Sequence, residues 1–469
     1  MSEKITAELR FGVRLVEQFA ALSGDANPIH VDRIAARRLL FGGRVAHGML
    51  SVLWALSCLR AARPEITGLR HIRAKFRAPV RVGARARLEI TGDGSAWRAA
   101  IRAGGRTCAT VMFETTDGPL RTFDADPVSE DMALVCRELD DAALATAAGR
   151  FGVSRFCPEA LFAGLAGFDP DQCGLIAGLS RLVGMECPGR HSTFVGFDVA
   201  FLDTDDTHFE IDYRVEAYEP RFRLMTMAIS GGMQGVVESI VRPAPVAQPT
   251  LAALSVHFPH PAFVGQNALV LGGSRGLGEV VAKCFAVGGG ACALSYHMGA
   301  GDAAQVVNDI NGQFEDAANA IHWDVQRAPP RLEGSFSHAF YLASPRIAAS
   351  RPGRFDEALY RAFKAFYVDP LETVIDRFAT VAAHDAVFVY VSSVYVEDTP
   401  AGFEEYANAK REGEAAAEMF CRSHGIRYQR WRPPQLLTDQ TAGYLDSDAP
   451  NTGQIVADFL RRLMEIESR

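Results

Sequence analysis

The thirteen residues His47–Leu59, HGMLSVLWALSCL, are nearly all apolar. A helix made from them would be buried on most of its sides, so the rest of the chain must wrap it. The wrapping material comes directly after. Beyond Pro64 lie LRHIRAKFRAPV, ARARLEITG, WRAAIRAGG and CATVMFET. Many of these alternate apolar and polar residues, the pattern of a sheet with one face covered.

Several strands around one buried helix make a hot-dog arrangement, an α+β fold with an antiparallel sheet. Residues 174–243 repeat the order. GLIAGLSRLVGMECPG supplies an apolar helix, and STFVGFDVAFLD, HFEIDYRVEAYE, FRLMTMAISGG and GVVESIVRP supply strands. The repetition predicts an internal duplication, a double hot-dog. The second copy has nothing like the SGDANPIH of the first, and its upstream segment, 125–173, reads as helical and polar. PAPVAQPTLAALSVHFPHPA (243–262) is rich in Pro and Ala and reads as a linker. From Asn267 the pattern becomes β-α-β: NALVLGG, a helix over GLGEVVAKCFAVGG, then ACALSYH, HAFYLASP and AVFVYVSS. Such alternation predicts a parallel sheet covered on both faces, a Rossmann-type doubly wound fold. The expected domains are a hot-dog over 1–122, a degenerate second one over 123–245, a linker over 246–262 and the Rossmann domain over 263–469.

The 469 residues exceed what one core of ~100–200 residues holds. A net charge of −8 with no basic run excludes a dedicated nucleic-acid binder. The nine cysteines lack metal-ligand spacing, so reduced thiols and no metal site are expected. MSEKITAELR lacks a signal core, and the longest uncharged apolar run, Val45–Leu59, falls short of the ~20 residues that cross a bilayer. A cytoplasmic protein with no membrane partner is the expectation.

In SGDANPIHVD (23–32) an acid, Asp25, and an imidazole, His30, stand five residues apart. A lone Asp-x-Asn-Pro is most often a turn. Its surroundings say more. LSGDANPIHVDRIAA, followed by FGGRVAHGML, closely resembles the signature of the MaoC-like, (R)-specific enoyl hydratase/dehydratase family. Leu22, Ser23, Gly24, Asp25, Asn27, Pro28, Ile29, His30 and Ala36 fit it, and the resemblance covers residues 10–115. It implies that Asp25 and His30 hold one water and share acid and base duties. It implies that Gly48 offers a backbone N–H at a helix start to the thioester oxygen and, lacking a Cβ, lets the thioester approach. Asn27 would support the active loop, and His47 would pack or orient it without a catalytic role. The family works as paired hot-dog folds with the acyl chain near the interface. The second copy would then complete the acyl tunnel or merely stabilise the first.

A second set of residues lies downstream. VLGGSRGLGE (270–279) comes after a strand and opens a helix, the placement that seats a pyrophosphate. Tyr406-Ala-Asn-Ala-Lys410 puts a phenol and an ammonium on one helix face, and Ser393 precedes Tyr406 by thirteen residues. These motifs closely resemble the short-chain dehydrogenase/reductase family over residues 263–440, with Leu271 where its glycine motif has threonine. The resemblance implies that Gly272, Ser274, Arg275, Gly276, Leu277, Gly278 and Asp324 bind a dinucleotide, together with Tyr406 and Lys410. Tyr406 would pass a proton to a carbonyl oxygen, Ser393 would hold that oxygen, and Lys410 would lower the phenol's pKa. No acid stands after the second strand at Tyr296-His297, and Arg275 could meet a 2′-phosphate. NADP(H) is therefore favoured, with NAD(H) not excluded. Three positions depart from the family: Ala343-Ser344-Pro345, Tyr367 where an asparagine is usual, and Pro433-Pro434.

Two sites on one chain imply consecutive steps sharing a 3-hydroxyacyl thioester. The expected enzyme reduces a 3-oxoacyl thioester with NADPH and interconverts the 3-hydroxyacyl and 2-enoyl forms. The carrier would be coenzyme A or an acyl carrier protein, and a homo-oligomer is a family-level expectation. The alternatives are hydration and then NAD(P)-dependent oxidation, a hydratase with a degenerate reductase-like domain, and a non-enzymatic carrier-docking module.

Overall fold

The structure is a computed structural model that describes residues 3–39, 41–117, 135–153, 157–202, 209–258, 260–350, 352–441 and 450–467. The chain divides into two compact units. One is Met1–Ala244; the other is Pro245–Arg469 apart from the short stretch 443–445. The expected boundary at 122/123 lies outside the described residues.

The first unit is built on one ten-stranded antiparallel sheet. Its first half comprises β1 (Glu3–Arg10), β2 (Gly68–Phe76), β3 (Arg85–Asp93), β4 (Ala96–Ala103) and β5 (Arg106–Thr116). Its second comprises β6 (Ala148–Gly152), β7 (Ser192–Phe201), β8 (Glu210–Glu219), β9 (Leu224–Gly231) and β10 (Met233–Val241). The strand order is β1-β3-β4-β5-β2-β7-β10-β9-β8-β6, so the second half repeats the first in mirror sequence. The halves join where β2 and β7 pair antiparallel, from His71↔Ala200 to Lys75↔Gly196. Gly196 is required there, because a Cβ would come within 2.7 Å of the Ala74 carbonyl oxygen.

The helices of this unit are α1 (Val13–Ser23), the single turn α2 (Pro28–Val31), α3 (Gly48–Ala62), a short α4 (Asp141–Thr146) and α5 (Pro170–Arg181). The apolar run at 47–59 forms α3, with Met49 through Ser57 all buried. Each Leu- or Val-sized side chain hidden this way is worth about 1.5–3 kcal/mol. Its counterpart α5 has Cys173 through Arg181 buried and ends in a π-helical turn, Leu182–Glu186. The described part of 125–173 is less helical than its polarity suggests. It holds α4, two 3₁₀ turns and β6, which pairs with β8 and forms the sheet's last strand.

The second unit has a six-stranded parallel sheet in the order β13-β12-β11-β14-β15-β16. Its strands are β11 (Asn267–Leu271), β12 (Ala291–Tyr296), β13 (Ala318–His322), β14 (Phe336–Tyr341), β15 (Ala382–Val391) and β16 (Arg427–Trp431). Its helices are α6 (Leu251–Ser255), α7 (Gly276–Val287), α8 (Ala300–Asn311), α9 (Glu357–Tyr367), α10 (Leu371–Ala379), α11 (Glu404–Ser423) and α12 (Thr452–Glu467). The order reverses between β11 and β14, the topological switch of a Rossmann-type sheet. The stretch 246–262 is folded in part: Leu251, Leu254 and Phe258 are buried in this unit's core with Phe263 and α7. Among the described residues, no helix is long and apolar enough to cross a membrane.

Candidate functional site

The Asp25–Pro28 loop sits between α1 and α2 because each end is capped. Gly24, at φ 71°, ends α1 in the left-handed region, where glycine carries no Cβ penalty. Asn27 caps α2, accepting from Ile29 N at 3.1 Å, with Pro28 at the first helical position. Asn27 has a further task. Its Nδ2 donates to the carbonyls of Gly184 (2.7 Å), Gly189 (3.2 Å) and Arg190 (3.3 Å), tying the loop to the second half of the sheet.

Asp25 and His30 face one another, Oδ2 to Nε2 at 3.9 Å. His30 Nδ1 lies 2.7 Å from the Val45 carbonyl, which makes Nδ1 the donor and leaves the Nε2 lone pair toward Asp25. Ser180 Oγ, from α5, donates to Asp25 Oδ2 at 2.7 Å, and Asn27 N donates to Oδ1 at 3.2 Å. Burial raises the Asp25 carboxyl above its ordinary value, against the opposing pull of His30, Ser180 and Asn27. Burial likewise lowers His30, against Asp25 and the Val45 bond. The opposite shifts bring the two proton affinities closer to one another.

His47 is fully buried; its Nε2 bonds the Asp25 carbonyl oxygen at 3.0 Å and its ring stacks on His30 at 3.8 Å. Asp25, His30 and His47 could each offer a ligand atom within 4.8 Å of the others. His47 Nε2 and His30 Nδ1 are bonded to carbonyl oxygens, so these bonds leave the other nitrogen of each ring unused. Gly48 begins α3 with no side-chain cap on its N-terminus. A Cβ on Gly48 would stand 2.9 Å from the Phe76 ring, so Phe76 is the group whose approach the missing Cβ admits. Asp25, His30, Gly48 and Ser180 line a cavity of about 370 Å³, together with Phe41, Phe76 and Arg77 from one half and Val183, Phe194 and Ile240 from the other.

Sequence reasoning missed Ser180 and Gly184. A Cβ on Gly184 would lie 2.3 Å from Asp25 Oδ1, so the π-helical turn is fitted around this carboxylate. No signal at residue 180 points to residue 25, since the two are 155 positions apart.

In the second unit, α7 opens on the glycine loop with Arg275 as its N-cap and no side-chain capping bond. Gly272 (φ 87°) and Gly276 (φ 58°) occupy the left-handed region. A Cβ on Gly278 would strike the Gly272 carbonyl oxygen at 2.3 Å. This cradle fits a dinucleotide pyrophosphate. Ser274 is buried, and Leu277 packs on the unit's core. Arg275 Nη1 lies 3.8 Å from Asp439 Oδ2. Asp324 accepts from Gln326 N at 3.1 Å and lies 3.8 Å from His297 Nδ1.

Ser393 lies just beyond β15 and is hydrogen-bonded to Tyr406. The lysine's expected effect on the phenol does not dominate. Burial pushes Tyr406 up to about 12, the Ser393 bond opposing, and pushes Lys410 down to about 7. Lys410 Nζ donates to the Val391 carbonyl at 2.7 Å and sits 3.9 Å from the centre of the Tyr367 ring. Tyr367, in place of the usual asparagine, is fully buried and shares a 2.6 Å bond with Ser344.

Comparison with known proteins bears on the N-terminal half of the first unit. Residues 4–109 match the model of the MaoC like domain. A 78-residue stretch is 38% identical to the (R)-specific enoyl-CoA hydratase of Rhodospirillum rubrum, covering 16% of this chain and 54% of that one. A 96-residue stretch is 31% identical to the 3-hydroxyacyl-thioester dehydratase X of Mycobacterium tuberculosis, covering 20% and 33%. The chain thus spans a third to about half the length of these curated relatives. Among solved structures, a short-chain dehydrogenase from Burkholderia cenocepacia J2315 in complex with NADP is 20% identical, covering 43% of this chain and 91% of its own, with a TM-score of 0.38. The N-terminal part of this chain is a MaoC-like domain with hydratase and dehydratase relatives.

Proposed function

We propose that the first unit interconverts 2-enoyl and 3-hydroxyacyl thioesters, and that its two sheet halves are two hot-dog folds acting as one. The observation that carries this reading is the Asp25–His30 pair, 3.9 Å apart with the carboxylate buried and the imidazole partly so, at a cavity both halves line. In the hydration direction the pair takes a proton from a water as its oxygen bonds to C3. The C2–C3 double bond opens, and C2 receives a proton from the same pair, so atoms and charge balance. The negative charge that builds on the thioester oxygen meets the N–H of Gly48 at the start of α3.

The second unit is read as a reductase of 3-oxoacyl thioesters using NADP(H). The cofactor, when bound, supplies the hydride. Arg275 suits a 2′-phosphate, and Gly272, Ser274, Gly276, Leu277 and Gly278 form the phosphate cradle. Asp324 would contact the adenine. Ser393 holds the carbonyl oxygen and Tyr406 delivers its proton. The position of Lys410 on Tyr367 favours a second reading, in which this unit binds cofactor but turns over slowly or not at all.

The test is to supply an acetoacetyl thioester with NADPH to the full chain and identify products. Appearance of 3-hydroxyacyl and 2-enoyl thioesters supports both assignments. Failure of added 3-hydroxyacyl thioester to dehydrate, in folded protein, refutes the first. Calorimetry with NADP(H) and NAD(H) checks the second, since a unit that binds neither is no dehydrogenase.

A further inference from the structure

The first 122 residues carry twenty Lys and Arg against ten Asp and Glu, although the whole chain is at −8. The fold gathers much of this excess at one end of the first half-sheet. Arg10 ends β1, Arg85 and Arg87 begin β3, Arg102 is near the end of β4, Arg106 begins β5, and Arg77 and Arg81 come after β2. All seven are exposed.

Two cross-strand pairs join like charges: Arg10↔Arg85 and Arg87↔Arg102. Such pairs destabilise an isolated sheet. The strands place one acid at this end, Glu8, and it is engaged by Arg87 at 2.7 Å. Glu89, one row further in, is held by Lys4 at 2.9 Å. Among the described residues, none of the other six arginines has a carboxylate within ion-pair reach. The end therefore carries an excess of positive charge.

The cavity lies at this same end of the half-sheet. Arg77, Ala78, Pro79, Val80 and Cys108, at the end of β2 and the start of β5, line it. The arginines run from β1 to β2, across four strand spacings, on the order of 19 Å. The phosphates of a single nucleotide cannot engage cations spread so widely; an acidic protein face can. We propose that this arginine-rich end docks an acidic acyl carrier protein, whose phosphopantetheine arm enters the cavity past Arg77. The proposal rests on the hydratase reading of that cavity.

The experiment titrates the full chain into fluorescently labelled holo acyl carrier protein of a bacterial fatty-acid synthase and tracks anisotropy. Wild type binds saturably and weakens as salt rises, and Arg102→Glu with Arg106→Glu weakens binding about tenfold or more. No saturable binding, or an affinity unchanged by the double reversal, overturns the proposal. So does displacement of the carrier by equimolar coenzyme A, or binding to phosphatidylglycerol vesicles or RNA in its place. A parallel assay with 3-hydroxybutyryl-pantetheine separates the two ideas. Dehydration of this carrier-free thioester without carrier binding leaves the hydratase reading standing and removes the docking site. Carrier binding without any dehydration does the reverse.

Discussion

The two candidate sites differ in what surrounds their motif residues. Around Asp25 and His30 every neighbour aims the pair: Val45 fixes the His30 tautomer, Ser180 and Asn27 hold the carboxylate, and His47 stacks behind. Around Tyr406 the motif is complete, yet its lysine is drawn to the Val391 carbonyl and the Tyr367 face. A lysine pushed down to about 7 is charged only about half the time near neutrality. It therefore exerts less of the field that would lower the phenol. A motif certifies residue types; the support around it decides whether they work.

The sharpest way to break this contrast is to remove the carboxylate. Asp25→Asn should lower hydratase kcat by ~10²–10⁴, the usual worth of a general acid or base. It should also raise Tm at neutral pH. The folded-state pKa of Asp25 is raised, so its stabilising contribution is present below the unfolded value of 3.8 and lost as pH rises through the folded value. At neutral pH the buried charge is a cost that asparagine removes. Equal activity in this variant would end the assignment of the pair.

In the second unit, Tyr406→Phe should abolish any NADPH-dependent reduction while enoyl hydration continues. Tyr367→Asn tests the lysine's displacement. It should raise reductase kcat and move Lys410's titration upward, although the emptied space costs about 3 kcal/mol of stability. Unchanged turnover in folded Tyr367→Asn protein would mean that Tyr367 does not restrain the site.

Ser180→Ala should have a smaller effect. Losing a hydrogen bond to a charged group costs about 1.5–3 kcal/mol, roughly tenfold to a hundredfold in kcat. Because the Ser180 bond lowers the Asp25 pKa, its loss should move the acid limb of the rate profile to higher pH. A fall in kcat with no movement of that limb would show that Ser180 serves packing alone.

Much of the fold and site was legible in the sequence, and the reasons differ by residue. The run at 47–59 and the alternating strands after it specify a buried helix and its sheet, because burial and pleat impose periods of their own. Asp25, Asn27 and His30 are readable because they are neighbours in one loop. Ser180 and Gly184 are not, since only the joining of β2 to β7 brings α5 against that loop. The arginines at the sheet end are invisible for the same reason. They are scattered over 10–106 and become one surface only through strand order. The orientation of Lys410 depends on Tyr367 from α9, which no spacing within Tyr406–Lys410 encodes.

The central claim is that residues from both halves make one hydratase site. The direct measurement is the fate of a crotonyl thioester in D₂O, monitored by NMR, for wild type and Gly184→Ala. Wild type should yield the 3-hydroxy product with one deuterium at C2. In Gly184→Ala the new methyl would sit 2.3 Å from the present position of Asp25 Oδ1, so the carboxylate must move and turnover should fall as far as in Asp25→Asn. Full activity in a folded Gly184→Ala protein would contradict the account.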